Sequence, residues 1–249
     1  MRRFALKHLC SAALLTFGAL ASTSGCVDND TILFIQGAVS SDSAGCTPQA
    51  DPSNMYLPYG VLDTALTGKY TAFLLVGSQL VTRGSRNEMR TEPNRVTIRD
   101  AVVSLSAPGG AGGEFAFTTT ATGFIDPSSG EAPGYGLVAV DLIPGASNVQ
   151  LGGQPLTGNG QVLASVRVTG DTIGGTSITS SEFIFPIQIC SGCLVSFPAD
   201  ALKDPTVTNR CTGDPPTDKP CIVGQDVAVD CRLCSGNPAC APPASLLNP

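Results

Sequence analysis

Residues 162–169 alternate at every step, with Val162, Ala164, Val166 and Val168 on one face and Leu163, Ser165, Arg167 and Thr169 on the other. Successive Cβ atoms of an extended chain point to opposite faces, so a period of two marks a strand with one face in a core. Phe183, Phe185, Ile187 and Ile189 repeat the pattern. Apolar segments of strand length recur at 31–39, 69–81, 95–105, 114–124, 135–143, 161–169 and 181–190, and no window carries a sustained helical period. The chain is therefore predicted to be all-β, built from half-buried antiparallel strands. In 95–105 the apolar set changes parity, from Val96 and Ile98 to Val103 and Leu105. A bulge near Asp100 accounts for that switch.

Turn chemistry agrees with the strands. Gly174-Gly175 reads as a two-residue hairpin loop, and Asn159-Gly160 is a turn dipeptide just before a strand. Residues 109–113 (GGAGG) form a flexible connector; no Lys-Ser or Lys-Thr follows, so they are not a phosphate loop. Residues 126–131 (DPSSGE) lack calcium-loop ligand spacing and read as a turn. Seven or more short strands favour an antiparallel β-sandwich, immunoglobulin-like, over a barrel. The sandwich is expected over residues 31–198. From 199 to 249 strand patterning gives way to Pro, Asp and Cys, giving a disulfide-rich, loop-dominated tail.

The first 25 residues read as a signal peptide. Arg2, Arg3 and Lys7 precede 13 apolar-rich residues, 9–21, and small residues follow. That stretch is shorter than the roughly 20 apolar residues needed to span a bilayer. Thr23-Ser24-Gly25-Cys26 resembles the lipobox of bacterial lipoproteins, with Thr23 where that family prefers Leu. The resemblance implies that Cys26 takes a diacylglycerol and becomes the new N-terminus, with residues 26–30 as a short tether. It also implies sorting to the outer membrane, because Val27 rather than an acidic residue follows the cysteine. Cleavage after Ala21 is the competing reading, and would leave a soluble periplasmic or secreted protein.

Ten cysteines bear on that choice. Cys10 leaves with the signal, and acylation of Cys26 leaves an even set: Cys46, Cys190, Cys193, Cys211, Cys221, Cys231, Cys234 and Cys240. In an exported chain these are expected to form disulfides. Eight cysteines allow 105 connectivities, so no pairing is assigned. Cys190 and Cys193, at the end of the last long strand, are placed to tie the tail to the body. The two C-x-x-C pairs leave a metal-binding or redox-active tail as an alternative.

The lone histidine, His8, lies in the signal. The mature chain is thereby denied Ser-His-Asp, Cys-His and His-ligated metal chemistry. No catalytic or metal site and no cofactor is read from it, and an enzyme of histidine-independent chemistry remains an alternative. Eleven mature basic residues stand against twenty acidic ones, a net charge of −9. Affinity for phosphate comes from Lys and Arg, so nucleic acid is not an expected partner. Arg83, Arg86, Arg90, Arg95 and Arg99 nevertheless fall within seventeen positions. They read as a solvated hairpin tip balanced by Glu88, Glu92 and Asp100, or, through Arg83, Arg86 and Arg90, as a contact for an acidic partner. Tyr56-Leu57-Pro58-Tyr59 reads as a loop capping one end of the sandwich.

Taken across its length, the layout resembles uncharacterised bacterial secreted lipoproteins with an immunoglobulin-like body and a Cys-rich end. That resemblance implies location rather than activity. The expectation is a non-enzymatic, lipid-anchored envelope protein, a structural or binding module for an unknown envelope or extracellular partner.

Overall fold

The computed structural model describes residues 32–41, 44–85, 91–110, 112–156, 158–202 and 211–243. Every alternating segment forms a strand. In chain order they are β1 (Leu33–Val39), β2 (Tyr56–Leu57), β3 (Gly60–Asp63), β4 (Tyr70–Ser78), β5 (Val96–Ser106), β6 (Glu114–Ile125) and β7 (Gly134–Ile143). Then come β8 (Gln150–Leu151), β9 (Gln154–Pro155), β10 (Gly160–Thr172), β11 (Ser177–Thr179), β12 (Phe183–Cys190), β13 (Val195–Ser196) and β14 (Val229–Asp230). Ten of these make one large sheet in the order β2-β1-β4-β7-β6-β5-β10-β12-β3, with β11 beside β10. Its pairings are antiparallel except β12 with β3.

The inward residues of distant strands meet in one core. Leu33 of β1, Leu74 of β4, Val140 of β7, Val103 of β5, Val166 of β10 and Phe185 of β12 belong to a single buried cluster. Each such side chain contributes about 1.5–3 kcal/mol by leaving water. The predicted bulge is present. The β5–β6 and β5–β10 registers both shift between Ile98 and Asp100, and burial moves from Val96 and Ile98 to Ala101, Val103 and Leu105. The extra residue, Arg99, points out to Asp100 and Asp171.

Two local expectations need correction. The β10–β11 turn holds three residues, not two: Asp171 pairs with Ser177, the Thr172 N–H donates to the Thr176 carbonyl at 2.8 Å, and residues 173–175 turn the chain. The Thr172 hydroxyl takes the Thr176 N–H that a tighter turn would direct elsewhere. Gly175 supplies the left-handed step at φ 87°. Tyr56 and Leu57 are not a capping loop but β2, the edge strand beside β1.

All eight cysteines expected to pair do so, with Cα–Cα separations of 5.3–5.9 Å. Cys46 joins Cys221, Cys190 joins Cys193, Cys211 joins Cys231, and Cys234 joins Cys240. The tie between body and tail is thus Cys46–Cys221, whereas Cys190 and Cys193 close on each other. The physical reason lies in the chain path: after Cys193 the backbone runs directly into β13, which pairs with β14 of the tail. Around that pair Ala201, Cys231 and Cys240 are buried, with Leu66, Val195 and Phe197 against them. Sulfur replaces the missing large apolar side chains.

The tail also seals the sheet. β3 is the last strand of the sheet order, and an uncovered strand edge invites association. Residues 224–226 cover it. The Asp63 N–H donates to the Gly224 carbonyl at 2.9 Å and the Asp226 N–H to the Val61 carbonyl at 3.0 Å. The Val61 N–H donates to Asp226 Oδ1 at 2.8 Å. Buried Gln225 reaches β4 beyond the end of β1, accepting from the Thr71 N–H at 3.0 Å and donating to its carbonyl at 2.7 Å.

Candidate functional site

One end of the sheet gathers the start of β5, the ends of β4, β6 and β10, and the arginine-rich connection. Thr82, Gly84, Ser85, Glu92, Arg95, Asp126 and Pro127 line a cavity of about 350 Å³ there. Glu92 organises its rim. Its Oε2 accepts from the N–H groups of Arg83 at 2.9 Å and Gly84 at 2.6 Å, and its Oε1 from that of Asn94 at 2.8 Å. Burial pushes its carboxyl up, but those N–H groups and the Arg95 charge outweigh burial and hold it below its ordinary value. Arg95 bridges to Asp126 at 2.7 Å, so that part of the wall is neutralised. Val81, Phe124 and Ile173 are exposed at the same end, which gives it apolar as well as charged surface.

The arginine run is only partly collected here. Arg83 is exposed at the rim and Arg95 lies in the wall, while Arg99 is directed along the outer face to Asp171. Arg86, Arg90 and Glu88 lie outside the described residues, as do Cys26, the signal and the tether. The expected balance is realised differently for each acid. Asp100 meets Arg99 at 3.2 Å, whereas Glu92 is spent on backbone N–H groups.

A second corner lies where β3 meets the end of β12. Asp63 is fully buried, with Oδ1 accepting from the N–H groups of Ala65 at 3.0 Å and Gly192 at 2.6 Å. Its Oδ2 accepts from the Leu194 N–H at 2.9 Å. Cys190 is buried and Cys193 exposed, and both sulfurs lie within 4.8 Å of an Asp63 oxygen and of each other. Such a trio could hold a soft metal as thiolates. Joined as a disulfide, the sulfurs carry no thiolate, and three N–H groups already occupy the carboxylate.

Asp63, Gln225 and Asp226 escaped the sequence reading. β3 is only four residues long, and its single Asp follows Gly60-Val61-Leu62 without an alternating pattern to announce it. Gln225 and Asp226 sit in a Pro- and Asp-rich tail, where a polar dipeptide is unexceptional. A scan of protein-family models found no match to the chain, and a search of curated proteins found no relative.

Proposed function

We propose that this chain is an exported, lipid-anchored protein of a bacterial cell envelope, held at the outer membrane through Cys26, whose body is a non-enzymatic structural or binding module. The pairing of the cysteines carries the reading. Eight of them join in four disulfides, which is what an oxidising compartment produces. Once Cys10 leaves with the signal, that pairing leaves Cys26 as the odd thiol, available for acylation. The body is read as a sandwich of the immunoglobulin-like kind, a reading supported by the buried cluster that strands from β1 to β12 of the large sheet share. Its binding end is the arginine-rich one, where Arg83, Arg86 and Arg90 meet an acidic partner, and the exposed Val81, Phe124 and Ile173 support that choice.

Two acyl chains anchor a protein stably, each buried CH₂ contributing about 0.8 kcal/mol. Wild-type protein therefore partitions into a detergent-rich phase, and Cys26→Ser is released or left unprocessed. Unchanged partitioning of that variant would end the lipid reading.

A further inference from the structure

We propose that Cys190–Cys193 is a thiol–disulfide exchange site that acts on the paired thiols of a protein substrate, a redox activity that goes beyond the structural or binding role proposed above and would replace its non-enzymatic part. Its placement sets it apart from the other bridges. Cys46–Cys221 spans 175 positions and fastens the tail to the body, and Cys211–Cys231 and Cys234–Cys240 occupy the tail's small core. Cys190–Cys193 spans only three positions and joins nothing that β12 and its own loop do not already hold. Breaking it leaves the β12–β3 pairing and the Asp63 hydrogen bonds in place. The second C-x-x-C does not have this form, because Cys231 and Cys234 belong to different bridges.

The two sulfurs are inequivalent in the way exchange requires. Cys193 is exposed, and beside it Gly192 has open space where a side chain would stand. Cys190 is 7% exposed, so an incoming thiolate reaches Cys193 and Cys190 is the sulfur that leaves. The corner is also furnished for the reduced state. The Leu62 carbonyl oxygen lies 3.6 Å from Cys190 Sγ, within reach of an S–H that the disulfide lacks. A carboxylate offers about four acceptor positions, and Asp63 uses three, so one remains for a thiol. Reduction therefore creates no orphaned buried donor.

The exchange balances without a further reagent. A substrate thiolate, having given its proton to solvent, attacks Cys193 Sγ; the Cys190–Cys193 bond breaks and a mixed disulfide forms at Cys193. The departing Cys190 sulfur takes the proton of the substrate's second thiol. That second thiolate attacks the substrate sulfur of the mixed disulfide and releases Cys193, which takes a proton from solvent. The substrate leaves as a disulfide, oxidised by two electrons, and the protein holds two thiols. The reverse sequence reduces a substrate disulfide. Asp63 is a positioning residue: it accepts from the Gly192 and Leu194 N–H groups on either side of Cys193 and so fixes the loop that presents that sulfur.

The experiment equilibrates the whole mature protein in graded glutathione buffers, traps thiols with an alkylating agent and maps them by peptide mass. Cys190 and Cys193 should be labelled together at a reductant ratio at least tenfold milder than Cys46 and Cys221, with circular dichroism unchanged. Cys46 is also exposed, so equal labelling of both bridges would mean that exposure alone governs reduction, and would overturn the proposal. Loss of fold with the first label would overturn it too. With a disulfide-bonded model peptide, Cys190→Ser should accumulate a mixed disulfide at Cys193, and Cys193→Ser should form none. Equal adducts on both variants would refute the assigned roles. Asp63→Asn should shift the glutathione ratio at which Cys190 and Cys193 are labelled while leaving that of Cys46 and Cys221 unchanged; an equal shift of both bridges would mean a purely structural carboxylate and would overturn its positioning role.

Discussion

The Tyr70 hydroxyl lies 3.0 Å from both carboxylate oxygens of Asp226, joining β4 to the tail across 156 positions of sequence. Asp226 makes this contact from a left-handed backbone, φ 62°, which Asp adopts more readily than most residues. In that conformation its N–H and carboxylate both face Val61, so one residue satisfies both polar groups of an edge-strand position. Tyr70 itself is buried, and its ring packs 6.2 Å from that of Phe185. Its hydroxyl sits directly over Gly60, where any Cβ would collide with it. The bond between tail and sheet thus depends on a glycine as well as on its two partners.

Tyr70→Phe keeps the ring and deletes the donor. Asp226 then keeps Val61 and Gln225 as partners but loses a hydroxyl in a half-buried site, at a cost of about 1 kcal/mol. The loss should be local. Hydrogen exchange at the Val61 and Thr71 amides should accelerate, while amides of the β5–β10 pairing should not. Uniform acceleration across the sheet would mean that the tail contact is part of the global fold rather than a clasp.

Acid should tighten that clasp. Burial is the largest influence on Asp226 and raises its carboxyl above the ordinary 3.8, although Val61, Gln225 and Tyr70 pull the other way. Burial and the neighbouring carboxylate likewise push the Tyr70 hydroxyl far up, so it stays protonated throughout. A carboxyl raised in the folded state binds its proton more tightly there than when unfolded. Its contribution is therefore complete below the unfolded value and is lost as pH climbs through the folded one. Hydrogen bonding from Arg232 holds Asp230 below 3.8, and Glu92 is held below 4.5, so these contribute above their unfolded values and are lost only in stronger acid. As pH falls from neutral through the raised Asp226 value the melting temperature should rise, and in stronger acid, below the ordinary values of Glu92 and Asp230, it should fall. Asp226→Asn should lose the rise and keep the fall, as read by thermal circular dichroism.

The long strands were legible because burial on one face leaves a period-two trace, and the bulge at Arg99 was legible because it breaks that trace. Connections between distant residues leave no such trace. Nothing in Gly60-Val61-Leu62-Asp63 says that it pairs in parallel with β12, since a four-residue strand is too short for periodicity to speak. The cysteine pairing was invisible for the same reason: Cys46, between β1 and β2, meets Cys221, just before the residues that cover β3, across 175 positions, a property of the path and not of spacing. Asp63 was hidden by its chemistry. A buried carboxylate is recognised by the three N–H groups it collects, and those come from backbone, which any residue supplies.

The arginine end separates surface chemistry from stability. If Arg83, Arg86 and Arg90 only solvate a hairpin tip, as the sequence suggests, changing them to Ser should shift stability by no more than about 0.5 kcal/mol each. The Glu92 frame is held by backbone N–H groups, and Arg83 contributes its own whatever its side chain. Recovery of acidic partners from solubilised envelope should fall in the triple variant and should weaken with salt in the wild type. Equal recovery with and without the substitutions would remove these arginines from the binding surface.

The disulfides should differ in what they hold. A cross-link stabilises mainly by restricting the unfolded chain, and its effect grows with the loop it closes. On that basis Cys46–Cys221, spanning 175 positions, is worth about 5 kcal/mol, and Cys234–Cys240, spanning six, about 2 kcal/mol. Replacing Cys46 and Cys221 together with Ser should therefore cost more than twice as much in urea unfolding as replacing Cys234 and Cys240. The first pair of substitutions also frees residues 224–226 from their tether, so the β3 edge should become accessible and Asp63 N–H exchange should quicken. The premise is checked by intact mass: without reductant none of these eight cysteines takes an alkyl label, and after reduction and unfolding all eight do. Labelling of all eight by chelation alone would mean bound metal in place of bridges. A larger loss from Cys234 and Cys240 would show instead that the tail's sulfur core, where Cys240 is buried against Cys231 and Ala201, matters more than the length of loop a bridge closes.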